Sequence, residues 1–330
     1  MALLNWKVII IEEMNWIKLG KICDPTEFKL SNNCFEFAQS PQAIVFDDFV
    51  RIYFSTRERD ATGKYLSHVS FVDFDKDFKK IIRVSDKTVI PLGKMGCFDE
   101  HGIFPMNVLR SGDKILAYFT GWNRKISVSA DASIGLAIST DNGLTFQKNG
   151  DGPILTASLH EPFLVCDAFV AVFENVYHMW YIYGCRWFND HLEKEPQRVY
   201  KIVYATSSDG LNWHRDGIQL IDDILDENEC QALPTVIWHN GLYRMYFCFR
   251  HATDFRNNKD RGYRLGYAYS PNLINWTRAD NEAGIETTEG EWDSDMMCYP
   301  HIFRCNNKVF MLYNGNNFGR YGFGLAELTN

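Results

Sequence analysis

The chain has 330 residues, of which 46% are hydrophobic and 15% aromatic, and its formal net charge is −8 at pH 7. This composition is sufficient for a buried core. Because the charge is negative and no basic run is present, nucleic acid is not an expected partner. No apolar run approaches the roughly 20 residues that a membrane span requires, so no membrane span is expected.

Cysteine usage and the start of the chain bear on where the protein is found. The nine cysteines stand at scattered spacings without a Cys-x-x-Cys pair, so neither a zinc site nor a redox site is expected. Reduced thiols in the cytoplasm are the simplest interpretation. Residues 1–14 contain short apolar runs that Lys7 interrupts and that Glu12 and Glu13 follow, and this pattern does not predict a signal peptide.

A strand, hairpin and strand unit recurs along the chain. In its clearest copy, residues 233–276, short runs rich in β-branched and aromatic residues are bounded by turn residues, which is typical of strands. Asn240 and Gly241 predict a tight hairpin, because both residues accept a positive φ. The opening of the unit recurs at positions 41, 105, 168, 234 and 300, with spacings of 64, 63, 66 and 66 residues. Such self-similarity predicts a radial or solenoid array.

Five units of four strands predict an all-β fold, a five-bladed β-propeller of four-stranded antiparallel blades, as a single domain over residues 1–330. The blades are predicted at about residues 40–83, 104–150, 166–217, 233–280, and 299–328 together with 15–22. The fifth copy ends at Leu328 without its outermost strand. Residues 15–22 resemble the segment that begins at Asn212, so this N-terminal strand is expected to complete blade five and hide a sheet edge.

The segment from Ser207 to Trp213 carries a pattern, Ser-x-Asp-Gly-x-x-Trp, that recurs in altered form in other units. It predicts a turn followed by a packing tryptophan, and its role is interpreted as structural.

Two sets of residues are expected at one opening of the central channel, because they precede the innermost strands or follow the next strands. The first set is Glu36, Asp99, Glu100, His101, Glu161, Asp167, Glu227, Glu229, Asp293 and Asp295. The second set is Arg57, Arg124, Arg186, Arg250, His251, Asn314 and Asn316, with Trp122, Trp187 and Tyr299 nearby. Together they suit a polyhydroxylated ligand, neutral or anionic, since aromatic faces stack on sugar rings and guanidinium groups hold carboxylates or phosphates. For any single one of these residues, a solvent-exposed side chain or an ordinary ion pair remains the alternative interpretation.

The repeat architecture resembles that of the five-bladed propeller glycosidases: the arabinanase and xylosidase group, the invertase and levansucrase group, and the β-mannoside phosphorylases. The resemblance extends over nearly the whole chain. It implies an acidic residue at the start of the first strand of blades one and three, and a glutamic acid before blade four. Asp167 matches the blade-three position, and Glu229 resembles the glutamic acid, although it stands farther ahead of Pro234 than the family pattern has it. Ser40 stands where blade one would have its aspartate.

The resemblance implies a glycoside-active enzyme, a hydrolase or a related glycosyl-transferring enzyme, that acts on a sugar or glycoconjugate by carboxylate acid/base catalysis. Glu229 is then the candidate acid, which Asp167 orients, and Glu100 or Asp99 is the candidate base. The candidate substrate-binding residues are Arg57, His101, Arg186, Arg250, His251, Asp295, Tyr299 and Asn314.

Ser40 leaves alternatives open, because a serine cannot serve as a carboxylate base. Either Glu36, Asp99 or Glu100 takes over this role, or the chain is a carbohydrate-binding propeller without catalysis, or it is a propeller enzyme with other sugar chemistry. No cofactor and no catalytic metal ion are expected, while a structural calcium ion in the acidic part of the channel stays open, since carboxylate oxygens are its natural ligands. The sequence predicts neither the sugar and its linkage nor the oligomeric state.

Overall fold

The computed structural model describes residues 13–191 and 193–329, so most of the predicted N-terminal leader lies outside the described residues. The strands are β1 (Trp16–Cys23), β2 (Glu36–Val45), β3 (Val50–Arg59), β4 (Tyr65–Phe74), β5 (Ile81–Val84), β6 (Gly102–Ser111), β7 (Lys114–Arg124), β8 (Ala130–Ser139), β9 (Gln147–Lys148), β10 (Val165–Phe173), β11 (Val176–Phe188), β12 (Gln197–Ser207), β13 (His214–Arg215), β14 (Cys230–His239), β15 (Leu242–Arg250), β16 (Arg264–Ser270), β17 (Thr277–Arg278), β18 (Cys298–Cys305), β19 (Lys308–Asn314) and β20 (Phe323–Leu328). Short 3₁₀ segments lie in the connections, at Pro25–Glu27, Lys259–Arg261, Asp280–Glu282 and Asn316–Gly319. Within the described ranges, no helix is long and apolar enough to cross a membrane.

The strands form antiparallel sheets in which neighbours along the chain pair. Strands β10 to β13 form one four-stranded sheet, and β14 to β17 form another. Strands β2 to β5 and β6 to β9 are two further runs of four, which a parallel pair between Ser67 and Gly102 joins. The remaining sheet has the order β1-β20-β19-β18, so the N-terminal strand pairs with the C-terminal one. The predicted all-β architecture of four-stranded antiparallel sheets is confirmed.

The first strands of the different sheets contact one another. Contacts run from β2 to β6, from β6 to β10, from β10 to β14, from β14 to β18, and from β18 back to β2. Hydrogen bonds tie some of these strands together: Asn107 Nδ2 donates to Gln42 Oε1 at 3.0 Å, and the Val170 N–H donates to Asn107 Oδ1 at 3.0 Å. The later strands of each sheet follow in order away from these contacts.

Neighbouring sheets are joined by aromatic contacts of one recurring kind. A ring at the start of, or just before, the outermost strand packs edge-on against a ring in the second strand of the preceding sheet. The pairs and their centroid distances are Phe146 with Tyr53 at 5.7 Å, Trp213 with Tyr118 at 5.9 Å, Trp276 with Trp180 at 6.4 Å, and Trp16 with Tyr246 at 5.7 Å. Edge-to-face pairs stabilise a fold by more than the apolar area that they bury, so each contact stabilises one junction between sheets.

The tyrosines at these junctions also make hydrogen bonds. The hydroxyl of Tyr53 donates to the carbonyl of Gly143 at 2.7 Å, and that of Tyr118 donates to the carbonyl of Gly210 at 2.9 Å. Both acceptors belong to the turn that precedes the outermost strand of the next sheet. Because these hydroxyls are buried and satisfied, they fix the position of one sheet relative to the next.

Two predicted local structures are observed. At the hairpin between β14 and β15, Asn240 has a φ of 47° and Gly241 a φ of 78°, which is the left-handed conformation that the sequence predicts. In the turn before β13, Ser207 Oγ accepts hydrogen bonds from the N–H groups of Asp209 at 3.2 Å and Gly210 at 2.9 Å. The side chain of Trp213 then packs on the preceding sheet, as predicted.

We expect replacement of Trp16 by alanine to lower the free energy of unfolding by about 3 kcal/mol or more. The indole is buried against Tyr246, and its Nε1–H donates to the Tyr246 hydroxyl at 2.8 Å. Ile17, the next residue on β1, is 57% exposed, so Ile17→Ala is the matched control and should change that free energy by less than about 0.5 kcal/mol. Urea unfolding measures both variants.

Equal losses in the two variants would contradict the packing role of Trp16. Deletion of residues 1–20 should lower the melting temperature further, because it removes most of β1 and exposes the edge of β20. An unchanged melting temperature would contradict this role of β1.

Candidate active site

A pocket of about 530 Å³ opens where the first strands of the sheets begin. Its walls are largely aromatic, with rings from Phe37, Tyr65, Phe104, Trp122, Tyr200, Phe255, Tyr263, Tyr299 and Phe318. Its charged lining consists of four arginines and two aspartates, namely Arg57, Arg198, Arg250, Arg256, Asp131 and Asp167. Aromatic walls with a few converging charged groups are typical of a site for a polar organic ligand.

A distortion of the first strands directs residues into this pocket. Each first strand shows a shift in pairing register near its start. In four of them the residue at the shift has a positive φ, which is uncommon outside glycine: Ser40 at 51°, Asp167 at 60°, Leu233 at 48° and Tyr299 at 57°. In the fifth strand, Phe104 stands at the shift. Such bulges redirect side chains, and among these five residues Phe104, Asp167 and Tyr299 line the pocket.

Asp167 is the buried carboxyl group of the pocket, with 6% of its surface exposed. Burial raises its pKa to about 7, against the smaller opposing effects of the Leu233 backbone N–H and of Arg198. Its own N–H donates to Thr120 Oγ1 at 2.9 Å, which holds the backbone at the bulge. A carboxyl group with a pKa near neutrality can both donate and accept a proton under ordinary conditions.

Asp131 is the second carboxylate of the pocket. It is partly exposed, and its Oδ2 lies 3.3 Å from the Nζ of Lys125. It also lines an adjoining cavity of about 520 Å³ that includes Cys97 and Asp151. The pocket therefore contains two carboxyl groups in different environments, one buried and one in contact with water.

Arg250 and two tyrosines form a hydrogen-bonded group in the wall of the pocket. Arg250 donates to the hydroxyl of Tyr200 at 2.7 Å and to the carbonyl of His251 at 2.7 Å. The hydroxyls of Tyr200 and Tyr263 are 2.6 Å apart. The guanidinium of Arg250 also lies 3.5 Å from the ring centroid of Phe255. These contacts hold the guanidinium in one orientation.

Four of the predicted site residues line the pocket: Asp167, Arg57, Arg250 and Tyr299. Of these, Arg57 donates to the carbonyl of Thr56 at 3.2 Å and to the side chain of Gln39. The guanidinium of Arg57 lies beside the rings of Phe37 and Phe104, with centroid distances of 5.5 and 5.4 Å. The remaining predicted residues lie elsewhere.

Glu229 does not face the pocket. Its side chain is fully buried at the start of β14, where Oε1 accepts from Arg278 at 2.6 Å and Oε2 accepts from the N–H groups of Ile224 at 2.9 Å and Leu225 at 3.0 Å. Both oxygens are thus occupied by structural contacts. The expected pairing of Glu229 with Asp167 is not observed, and the structure corrects the position of the candidate acid.

Asp99, Glu100 and His101 also lie outside the pocket lining. Asp99 is buried and forms a salt bridge with Lys148 of β9. Glu100 accepts a hydrogen bond from the Gly96 N–H at 2.9 Å. His101 stacks behind Trp122, with ring centroids 6.1 Å apart, so its contact with the pocket runs through that tryptophan. Neither of the predicted bases reaches the pocket, because both stabilise the connection that precedes β6.

Four predicted binding residues lie outside the pocket and contact other protein groups instead. Arg186 is exposed and pairs with Glu227 at 3.1 Å. His251 Nδ1 lies 3.4 Å from Asp226 Oδ2. The Asp295 N–H donates to the side chain of Asn316 at 2.8 Å. Asn314 is fully buried, and its amide holds the backbone of the Ser40 bulge by accepting from the Ser40 N–H at 2.8 Å.

The sequence analysis did not find Arg198, Arg256 and Asp131. Arg198 lies near the start of β12, Asp131 lies at the same place in β8, and Arg256 lies in the loop after β15. The repeat pattern predicted site residues only before the first strand and at the end of the second strand of each unit. A search that included the entry to the third strand would have found Asp131 and Arg198.

Within residues 13–191 and 193–329, no three His, Cys, Asp or Glu side chains cluster closely enough to hold a metal ion.

Comparison with known proteins gives the family and the fold. No family model matches the chain. Two proteins of Mycobacterium tuberculosis, the uncharacterized proteins MT1551 and Rv1502, are each 33% identical over 318 residues, which is 96% of this chain and 100% of each relative. The chain belongs to the family of these two proteins.

Solved structures show which fold this family has. A structure described as a glycoside hydrolase matches with a TM-score of 0.73 at 16% identity, covering 96% of this chain and 92% of that one. A thermostable family-43 glycoside hydrolase matches with a TM-score of 0.60 at 14% identity, covering 91% of each chain. An exo-1,5-α-L-arabinanase from a bovine ruminal metagenomic library matches with a TM-score of 0.60 at 11% identity, covering 92% and 96%. The resemblance to propeller-fold glycoside hydrolases is confirmed for the fold.

We expect Asp167→Asn to raise the melting temperature at pH 8 and to have a smaller effect near pH 5. The folded protein holds a proton on Asp167 up to a pKa of about 7, whereas the unfolded chain releases it near pH 4. The wild type therefore loses stability as pH rises through this range, and asparagine, which stays neutral and tolerates a positive φ, does not. Calorimetric melting from pH 4 to 9 measures the difference.

Asp113→Asn is the matched control, because Asp113 is exposed in the hairpin between β6 and β7. A difference between Asp167→Asn and the wild type that stays constant with pH would contradict the raised pKa.

Proposed function

We propose that the protein is a glycoside-active enzyme whose pocket binds a sugar or glycoconjugate and whose proton-transferring group is Asp167. The observation that carries this proposal is a buried carboxyl group with a pKa of about 7 at a bulge that opens into an aromatic pocket. General acid and base catalysis is most effective when the pKa lies near the working pH. The shared fold with glycoside hydrolases supports the proposal by analogy.

The proposal includes a closed ring of five blades, with β1 as the outermost strand of the fifth. The pairing of β1 with β20 supports this arrangement, and so does the cyclic order of contacts among β2, β6, β10, β14 and β18. In such a ring the pocket is the mouth of the central channel, and every blade contributes to its lining.

In the proposed reaction, Asp167 donates its proton to the leaving glycosidic oxygen as the bond to the anomeric carbon breaks. Water attacks the anomeric carbon and gives its proton to Asp131, the carboxylate that is open to solvent. The two carboxyl groups then exchange protons with water and return to their starting states. Asp131 takes the role that the sequence analysis gave to Glu100 or Asp99.

A second candidate function is carbohydrate binding without catalysis. The observation that favours it is the residue at each bulge: serine, phenylalanine, aspartate, leucine and tyrosine at positions 40, 104, 167, 233 and 299, which include a single carboxylate. Ser40 is buried, and its hydroxyl cannot replace a catalytic carboxylate, because an alcohol is not ionised near neutral pH.

We also propose that the protein works in the reducing environment of the cytoplasm. All nine cysteines are free, and seven of them are buried. Burial raises the pKa of the Cys34 thiol to about 12, which keeps this thiol in its unreactive form.

If Asp167 is the general acid, Asp167→Asn should lower turnover of a glycoside substrate by roughly 10²–10⁴-fold and leave sugar binding nearly unchanged. Asparagine keeps the shape and the bulge but has no transferable proton. For the wild type, kcat/KM should fall as pH rises through about 7, because the protonated form of Asp167 is lost. Turnover of a panel of oligosaccharides and aryl glycosides measures both effects.

Asp113→Asn should retain full activity. Turnover at the wild-type rate in Asp167→Asn would exclude Asp167 as the acid. Sugar binding by the wild type without turnover of any glycoside in the panel would favour the binding function instead.

A further inference from the structure

Four guanidinium groups line the pocket without a carboxylate partner. Within residues 13–191 and 193–329, Arg57, Arg198, Arg250 and Arg256 form no salt bridge, whereas Arg51 and Arg278 each pair with a carboxylate. Arg198 contacts Ser129 Oγ at 3.3 Å, a neutral acceptor. Arg256 lies exposed at the mouth, with its guanidinium 4.1 Å from the ring centroid of Phe255.

Arg250 and Arg198 act unfavourably on the positive charge of Arg256. Desolvation lowers the pKa of Arg256, and the nearby charges of Arg250 and Arg198 lower it further. Desolvation also lowers the pKa of Arg57 to about 10. Positive charges that are gathered in one pocket wall without counter-charges oppose folding, so an arrangement of this kind is more typical of a binding site than of a structural core.

The carboxyl groups of the pocket do not neutralise the arginines. Asp131 is already paired with Lys125, and burial raises the pKa of Asp167 to about 7, so this group carries little charge below that pH. The excess of positive charge is local, because the chain as a whole has a net charge of −8. A positive pocket in an acidic protein attracts anions selectively to that place.

One donor in the wall lacks a partner. The Nε of Arg250 is buried without a hydrogen bond, while its two terminal nitrogens are bound by Tyr200 and by the His251 carbonyl. Arg250 itself is 4% exposed. A fixed and buried donor that is left unpaired at the wall of a pocket is a place where a ligand oxygen would gain a hydrogen bond.

We propose that this pocket binds an oxyanion, a carboxylate or a phosphate carried by the sugar ligand, at a subsite formed by Arg198, Arg250 and Arg256. The proposal rests on the proposed function only for the sugar part of the ligand. Guanidinium groups bind both kinds of oxyanion through charge-assisted hydrogen bonds, and the rings of Tyr200, Tyr263 and Phe255 hold Arg250 in place for this contact. The substrate class is thus an acidic or phosphorylated sugar.

The experiment measures binding and does not require turnover. The probes are glucuronate, glucose 1-phosphate and inorganic phosphate, with glucose as the neutral control, and sodium chloride keeps the ionic strength constant. We expect at least one anionic probe to raise the melting temperature and to bind at least tenfold more tightly than glucose in calorimetry. The affinity should fall as salt is added, because salt screens the charges.

Arg198→Gln and Arg256→Gln each remove one charge from the subsite and should weaken binding of that probe about tenfold or more, the range for a charge-assisted hydrogen bond. Arg83→Gln removes the same charge from an exposed position in β5 and should bind as the wild type does. Each pocket variant loses an unpaired cation, so its own melting temperature should stay at or above that of the wild type, which separates lost binding from lost folding.

The outcomes are distinct. If glucose 1-phosphate and phosphate bind but glucuronate does not, the oxyanion is a phosphate; the reverse pattern makes it a carboxylate. The oxyanion subsite is refuted if no anionic probe shifts the melting temperature more than sodium chloride does at the same ionic strength. It is also refuted if the pocket variants bind the probe as tightly as the wild type does. Binding of an anion without turnover of any glycoside leaves the subsite standing and removes the proposed enzyme function. Turnover of neutral glycosides without anion binding would support the proposed enzyme function and refute the oxyanion subsite.

Discussion

The edge-on contact between aromatic rings of successive sheets is the constraint on which the rest of the structure depends. A four-stranded sheet on its own leaves two faces to cover, so its neighbours must cover them. Here a ring beside the outermost strand meets a ring in the second strand of the sheet before it, as Trp213 meets Tyr118 and Trp16 meets Tyr246. Because the contact is repeated, each sheet has a similar orientation relative to the sheet before it. The first strands therefore begin around one common opening.

The second repeated feature is the bulge at the start of each first strand. Its backbone conformation is repeated, whereas its side chain is not. The backbone at Ser40, Asp167, Leu233 and Tyr299 has nearly the same left-handed conformation, while the side chains differ completely. The repeat thus sets the backbone conformation, whereas the residue at that position decides the chemistry: Asp167 and Tyr299 line the pocket, and Ser40 and Leu233 do not. A non-glycine residue with a positive φ is unfavourable, and the neighbouring strands hold it in place, as the Thr120 hydroxyl does for the Asp167 N–H.

The sequence predicted those features that depend on local pattern or on the repeat. The hairpin at Asn240 and the turn before Trp213 are local. Asp167 and Tyr299 stand at one position of the repeat, and Arg57 and Arg250 stand at another. Glu229 was placed in the pocket because it precedes a first strand, yet its partner Arg278 comes from the outermost strand of the same sheet, 49 residues later. No sequence motif marks a partner at that distance. Arg256 comes from a loop after β15, where the length of the connection varies from unit to unit, so no repeat position predicted it.

The charges of the pocket link its two proposed activities. Burial raises the pKa of Asp167, and the positive charge of Arg198 opposes that rise. An oxyanion bound beside Arg198 would reduce this positive potential and would favour the protonated carboxyl group. By linkage, protonation of Asp167 would in turn strengthen binding of the anion by the same factor. An acidic substrate would therefore bring Asp167 into the form that donates a proton, whereas a neutral sugar would leave the opposing effect of Arg198 in place.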